Sequence, residues 1–116
     1  MKHNVTKCPA ETTIDLIGGR WKTLIIWILF KKPHRFSELQ REMDNCSLEK
    51  SITQKMLINQ LRELEEDGLV HREVFKQVPP KVEYSLTKLG GSLKPVMEAL
   101  IDWGKKYKSK NKDVKV

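Results

Sequence analysis

Apolar residues recur along the chain at spacings that switch between helical and extended periods, and glycines and prolines mark the switches. Residues 9–17 place Ala10, Ile14 and Ile17 on one side of a short predicted helix, with Pro9 tolerated at its first position. Gly18 and Gly19 end it, because glycine readily takes the left-handed backbone that closes a helix. Residues 21–30 are apolar almost all round, which puts a second helix at the centre of the core. Pro33 blocks its continuation. A short third helix is predicted over 37–43, with Ser37 and Gln40 at capping-box spacing. The stretch 44–51 is polar and turn-prone.

A fourth helix is predicted between Thr53, a plausible N-cap, and Gly68, a plausible terminator. Leu57, Leu61 and Leu64 follow the i, i+4, i+7 rule and face inward. Steps of about 100° per residue carry Lys55, Asn59 and Arg62 to the opposite face, with Ile58 on its shoulder. Residues 69–78 and 81–86 read as two strands of a hairpin, rich in Val, Phe and Tyr with period-two alternation. Val70 and Val74 share one face of the first strand, and Val82, Tyr84 and Leu86 make the matching face of the second. Pro79 and Pro80 fall at the tip, where missing backbone donors do no harm. Thr87 or Ser92 caps a last helix reaching about Tyr107, with Leu93, Val96, Met97, Leu100, Ile101 and Trp103 as a broad apolar stripe. Pro95 lies in its first turn or kinks it.

The predicted class is therefore mostly α within α+β, a winged helix-turn-helix with a two-stranded wing and terminal helices at both ends. An α-helix fits the major groove of DNA, where exposed amides and cations meet base edges. Lys55 can reach phosphate or guanine, and Asn59 offers the donor–acceptor pair that adenine needs. Thr53, Gln54, Ile58 and Arg62 complete the candidate reading surface. Arg35 and Ser37 at the start of the motif, and Lys76, Gln77 and Lys81 on the wing, are the candidate backbone contacts. A merely solvated helix face would carry the same residue types, so periodicity alone leaves both readings open.

Length and charge narrow the picture. With 116 residues the chain supports one domain, expected over 1–107. The formal charge is +7, but six lysines and one acid from Lys105 onward supply +5 of it. Residues 108–116 are thus expected to be a disordered basic tail on a nearly balanced domain. The longest apolar run, 24–30, is far short of the roughly 20 residues that a bilayer demands. No signal-like segment begins the chain, so the expected location is the cytoplasm, away from membranes. Cys8 and Cys46 are too few for a disulfide framework, and His3, His34 and His71 are scattered, so no metal or cofactor is expected. No cluster of nucleophile, base and stabiliser suggests an enzyme. A protein-interaction module would want an apolar outer face on the fourth helix, and an RNA binder an aromatic stacking surface.

Several motifs, in order, resemble the HxlR-type transcriptional regulators. Cys8-Pro9 and Asp15-Leu16-Ile17-Gly18-Gly19-Arg20-Trp21-Lys22 resemble the family's opening, and Phe36-Ser37-Glu38-Leu39 its next segment. Gln54-Lys55-Met56-Leu57, Gln60-Leu61-Arg62-Glu63-Leu64-Glu65 and Asp67-Gly68-Leu69-Val70 are similar to the recognition helix and its exit. Residues 78–87 resemble the wing, and Trp103-Gly104 the close. The likeness covers about residues 8 to 104. It implies a sequence-specific regulator of double-stranded DNA, acting as a homodimer on an inverted repeat, with half-sites about one helical turn apart. It also implies that the first and last helices form the dimer interface, which points to Ile14, Leu93, Met97, Leu100 and Trp103.

Residues 44–51 depart from the family, whose members usually have a two-residue turn there. They lengthen the turn, extend the third helix or add a DNA contact. Ile58, where relatives often carry a polar residue, touches a thymine methyl or packs against this insertion. Cys8 matches an N-terminal cysteine that in some members senses oxidants or electrophiles, so a small reactive effector enters as a candidate partner. A helix start and Lys7 would both favour its thiolate, and Cys46 of the partner subunit is the candidate for pairing. The alternative is a small apolar side chain filling the dimer interface.

Overall fold

The computed structural model describes residues 8–46 and 51–114. The chain order is α1 (Pro9–Ile17), α2 (Arg20–Leu29), β1 (His34–Arg35), α3 (Phe36–Cys46) and α4 (Gln54–Glu66), then β2 (Val70–Phe75), β3 (Lys81–Leu86), α5 (Lys88–Gly91) and α6 (Lys94–Val114). This is a winged helix-turn-helix. Helix α2 runs through the middle, and Ile25, Ile26 and Ile28 are buried there among Leu39, Met43, Leu57, Leu61 and Leu64. Each such side chain contributes about 1.5–3 kcal/mol when removed from water, so three leucines on α4 fix its rotation firmly.

The exit from α4 is a Schellman motif. Gly68 (φ 80°) takes the left-handed conformation, its N–H donates to the Glu65 carbonyl, and the Leu69 N–H donates to the Leu64 carbonyl, both at 3.0 Å. Helix α5 then crosses this exit so closely that a Cβ on Gly90 would overlap the Leu69 carbonyl oxygen.

Several expectations are corrected here. The two-stranded wing β2–β3 is as expected, and the unpredicted β1 extends it to a three-stranded antiparallel sheet in the order β1-β3-β2. In β1, His34 lies opposite Tyr84 and Arg35 opposite Glu83. Two residues are too short to show any period, and that hid the strand. Strand β2 stops at Phe75, and Val74 is 49% exposed because the outer wing extends past the core.

The capping box is displaced as well. The Arg35 N–H donates to Glu38 Oε1 at 2.9 Å, two residues earlier than the Ser37 and Gln40 pairing. Gln40 instead donates from Nε2 to the Ile52 carbonyl at 3.0 Å, tying α3 to the segment before α4. Within the insertion, residues 44–46 extend the third helix, and 47–50 lie outside the described residues.

The single predicted last helix is two. Thr87 caps α5, its Oγ1 accepting from the Gly90 N–H at 3.0 Å, and Pro95 sits in the first turn of α6. Helix α6 runs on to Val114 instead of stopping near Tyr107, so the lysine-rich segment up to there is helical. Lysine is a good helix former, and cations near a helix C-terminus meet the negative end of its dipole.

Candidate nucleic-acid interface

Helix α4 is held from three sides. Thr53 Oγ1 accepts from the Met56 N–H at 3.1 Å, the inner leucines are sealed in the core, and Lys22 Nζ lies 2.6 Å from Glu63 Oε1. That last pair joins α2 to α4 from a lysine that is itself buried. What remains outward is Thr53, Gln54, Lys55, Ile58, Asn59 and Arg62, all exposed as the periodicity requires. Among the described residues, neither Lys55 nor Arg62 forms an ion pair. Two cations and two amides therefore face solvent on a helix whose backbone is fixed by folding.

Ile58 is 43% exposed and lines a cleft between α4 and the wing, together with Arg62, Glu65, Arg72 and Tyr84. The sequence reading missed Arg72. Its only signal was position, since it shares the face of β2 that carries Val70.

The remaining candidates surround this helix. Arg35 and Ser37 are exposed at the start of α3, and Lys76 and Gln77 are exposed at the wing tip. Lys81 is more engaged than expected. Its ammonium sits 4.7 Å from the Phe75 ring centroid and 3.3 Å from Glu83 Oε2, so it reaches a phosphate only by giving up these contacts.

Beneath α3 lies a polar anchor that sequence reasoning left in a turn. His34 is wholly buried, with Nε2 2.6 Å from Glu42 Oε2 and Nδ1 2.8 Å from the Lys32 carbonyl oxygen. Lys31 Nζ stands 3.6 Å from the other Glu42 oxygen. The hydrogen bond from His34, aided by the charges of His34 and Lys31, holds the Glu42 carboxyl below its ordinary value. A depressed carboxylate stabilises the fold above the ordinary value near 4.5 and loses that contribution as pH falls. Glu42→Gln is accordingly expected to lower the urea midpoint at pH 7, with the gap to wild type closing at pH 3. An equal gap at both pH values would contradict the ion-pair account.

The surfaces assigned to dimer contact divide. Ile14, Leu100 and Trp103 are exposed, and Leu93 is half-buried. Met97 is 1% exposed within its own protomer, so contrary to expectation it belongs to the core rather than to a surface open to a partner. Tyr107 is exposed beside them, stacked on Trp103 with ring centroids 5.3 Å apart. Leu93, Val96, Leu100, Trp103 and Tyr107 follow one another at alternating steps of three and four, the spacing of a coiled-coil seam. An apolar groove of about 550 Å³ between α2 and α6 adjoins that seam at Leu100.

Cys8 occupies the N-cap position of α1 and Cys46 ends α3, both exposed and neither in a disulfide among the described residues. No helix among the described residues is long and apolar enough to cross a membrane, and no three His, Cys, Asp or Glu side chains converge there as metal ligands.

Comparison with known proteins agrees with this geometry. The family described as HxlR-like helix-turn-helix matches residues 16–112. The chain is 53% identical over 103 residues to the uncharacterized HTH-type transcriptional regulator YdeP of Bacillus subtilis strain 168, covering 89% of this chain and 76% of that one. Among solved structures, the redox regulator HypR in its reduced form superposes with a TM-score of 0.81 at 45% identity, covering 91% of this chain and 99% of that one. The reduced form of the transcriptional regulator YodB from B. subtilis superposes with a TM-score of 0.71 at 37% identity, covering 84% and 91%.

Proposed function

Because the chain belongs to the HxlR-like helix-turn-helix family of transcriptional regulators, we propose that it binds double-stranded DNA sequence-specifically, in the cytoplasm, as a homodimer on an inverted repeat. The observation that carries this reading is the outer face of α4. Its inner face is locked in the core, and Lys55, Asn59 and Arg62 stand out beside a wing bearing Lys76 and Gln77. A rigid polar helix of this kind can enter the major groove without reorganising. The coiled-coil-like seam of α6 and the exposed Ile14 of α1 support pairing of two copies, since exposed apolar side chains are costly to leave in water.

Selection of bound fragments from the source genome by the purified protein tests the proposal. The expected result is enrichment of fragments sharing an inverted repeat with half-sites about one helical turn apart. Enrichment without any shared repeat would overturn it.

The Cys8 reading is finer. The likeness to the redox regulator HypR, and the exposure of both thiols, support a role for Cys8 as an oxidant sensor. In that role the Cys8 thiol and Cys46 of the partner subunit would give up two protons and two electrons to hydrogen peroxide, forming one disulfide and two waters. A dimer-sized band on non-reducing gels after mild peroxide treatment, lost in Cys8→Ser and in Cys46→Ser, is the expected outcome. A monomer-sized band throughout would end the bridge.

A further inference from the structure

Strand alternation puts Val70, Arg72 and Val74 on one face of β2, and Arg72 pairs directly with Tyr84 of β3. Val70 and Tyr84 are buried on that face, yet Arg72 is exposed. The reason lies in α4, which covers the base of the wing and then parts from it. The two leave a cleft of about 360 Å³ lined by Ile58, Arg62, Glu65, Arg72 and Tyr84. An exposed guanidinium on this register keeps its hydration and can meet an anion that enters the cleft. Among the described residues, neither the Arg72 nor the Arg62 side chain has an ion pair or hydrogen bond, and Glu65 lines the same cleft without pairing with either. Two like charges over one cleft repel, and an anion between them would relieve that repulsion.

We infer that this cleft is a seat for one DNA backbone phosphate, held by Arg72 from the wing and opposed by Glu65, with the charge of Arg62 on α4 adding to the attraction while its guanidinium faces the groove. The inference rests on the DNA-binding reading and adds a contact that fixes how the wing lies against the duplex. A guanidinium suits the task because its planar fork can donate two parallel hydrogen bonds to phosphate oxygens. The cleft floor is Tyr84, itself flanked by His34 of β1, so the seat is built on the rigid sheet rather than on the wing tip.

The test uses the full chain and a fluorescein-labelled 40-base-pair duplex from the selected pool, with a scrambled duplex as control, by anisotropy across a series of KCl concentrations. Arg72→Ala is expected to weaken binding to both duplexes about tenfold and to lower the salt slope by about one unit. Arg72→Gln, which keeps the aliphatic stem, is expected to do the same. Arg72→Lys should restore the slope but only part of the affinity, and Glu65→Gln should tighten binding to both duplexes a few-fold. Wild-type binding with an unchanged slope in Arg72→Ala and Arg72→Gln overturns the phosphate seat alone. Failure of the wild type to bind any duplex overturns the seat together with the DNA reading.

Discussion

Replacing Trp103 by glutamate is expected to leave each protomer folded and to separate the pair. In one protomer Trp103 is 66% exposed and touches mainly Tyr107, so its loss costs the monomer little. In the proposed dimer it sits at the middle of the α6 seam, where a charge without a partner would be buried against apolar side chains. Sedimentation at micromolar concentration should then show a monomer with an unchanged far-ultraviolet spectrum. Operator binding should fall by about 10²-fold or more, because the second half-site no longer benefits from the first contact. A stable dimer in Trp103→Glu would move the interface away from α6.

The second large effect is expected on α4. Lys55→Ala and Arg62→Ala together should weaken binding to the selected duplex by about 10²-fold. A bidentate arginine–guanine contact is worth about 1–3 kcal/mol, and a lysine–phosphate contact adds to it. Both side chains are exposed and unpaired, so thermal stability should stay within about 0.5 kcal/mol of wild type. The loss from Arg62→Ala should be larger on the selected duplex than on a scrambled one, and that from Lys55→Ala more nearly equal if Lys55 meets phosphate. Equal retention of both duplexes by the double variant would show that another surface carries the binding.

How far these surfaces could be read in advance depended on how local their causes are. Leu57, Leu61 and Leu64 state the rotation of α4 through their spacing alone, and Thr53 and Gly68 bracket it, so the reading face followed from one segment. The resemblance to a regulator family added the dimer, which no periodicity within one chain can establish. What sequence left out is tertiary. His34 looks like a turn residue until β1 pairs with β3 and Glu42 arrives from α3. The Glu38 cap on Arg35 and the Gln40 bond to Ile52 reverse a local capping prediction, because α3 starts one residue earlier, at Phe36, and Gln40 reaches across the turn. Arg72 is the clearest case. Its place on the apolar register was visible, but the cleft that makes it useful exists only where α4 and the wing diverge. Lys22 was visible too, as part of a motif, yet its partner Glu63 lies on a helix forty residues away in sequence.

The most direct measurement is guanine N7 methylation interference on the selected duplex, since N7 lies in the major groove. Insertion of the Lys55 to Arg62 surface predicts two patches of interference, one per half-site, about ten base pairs apart and symmetric about the repeat centre. Full binding to duplexes methylated throughout both half-sites would contradict that insertion.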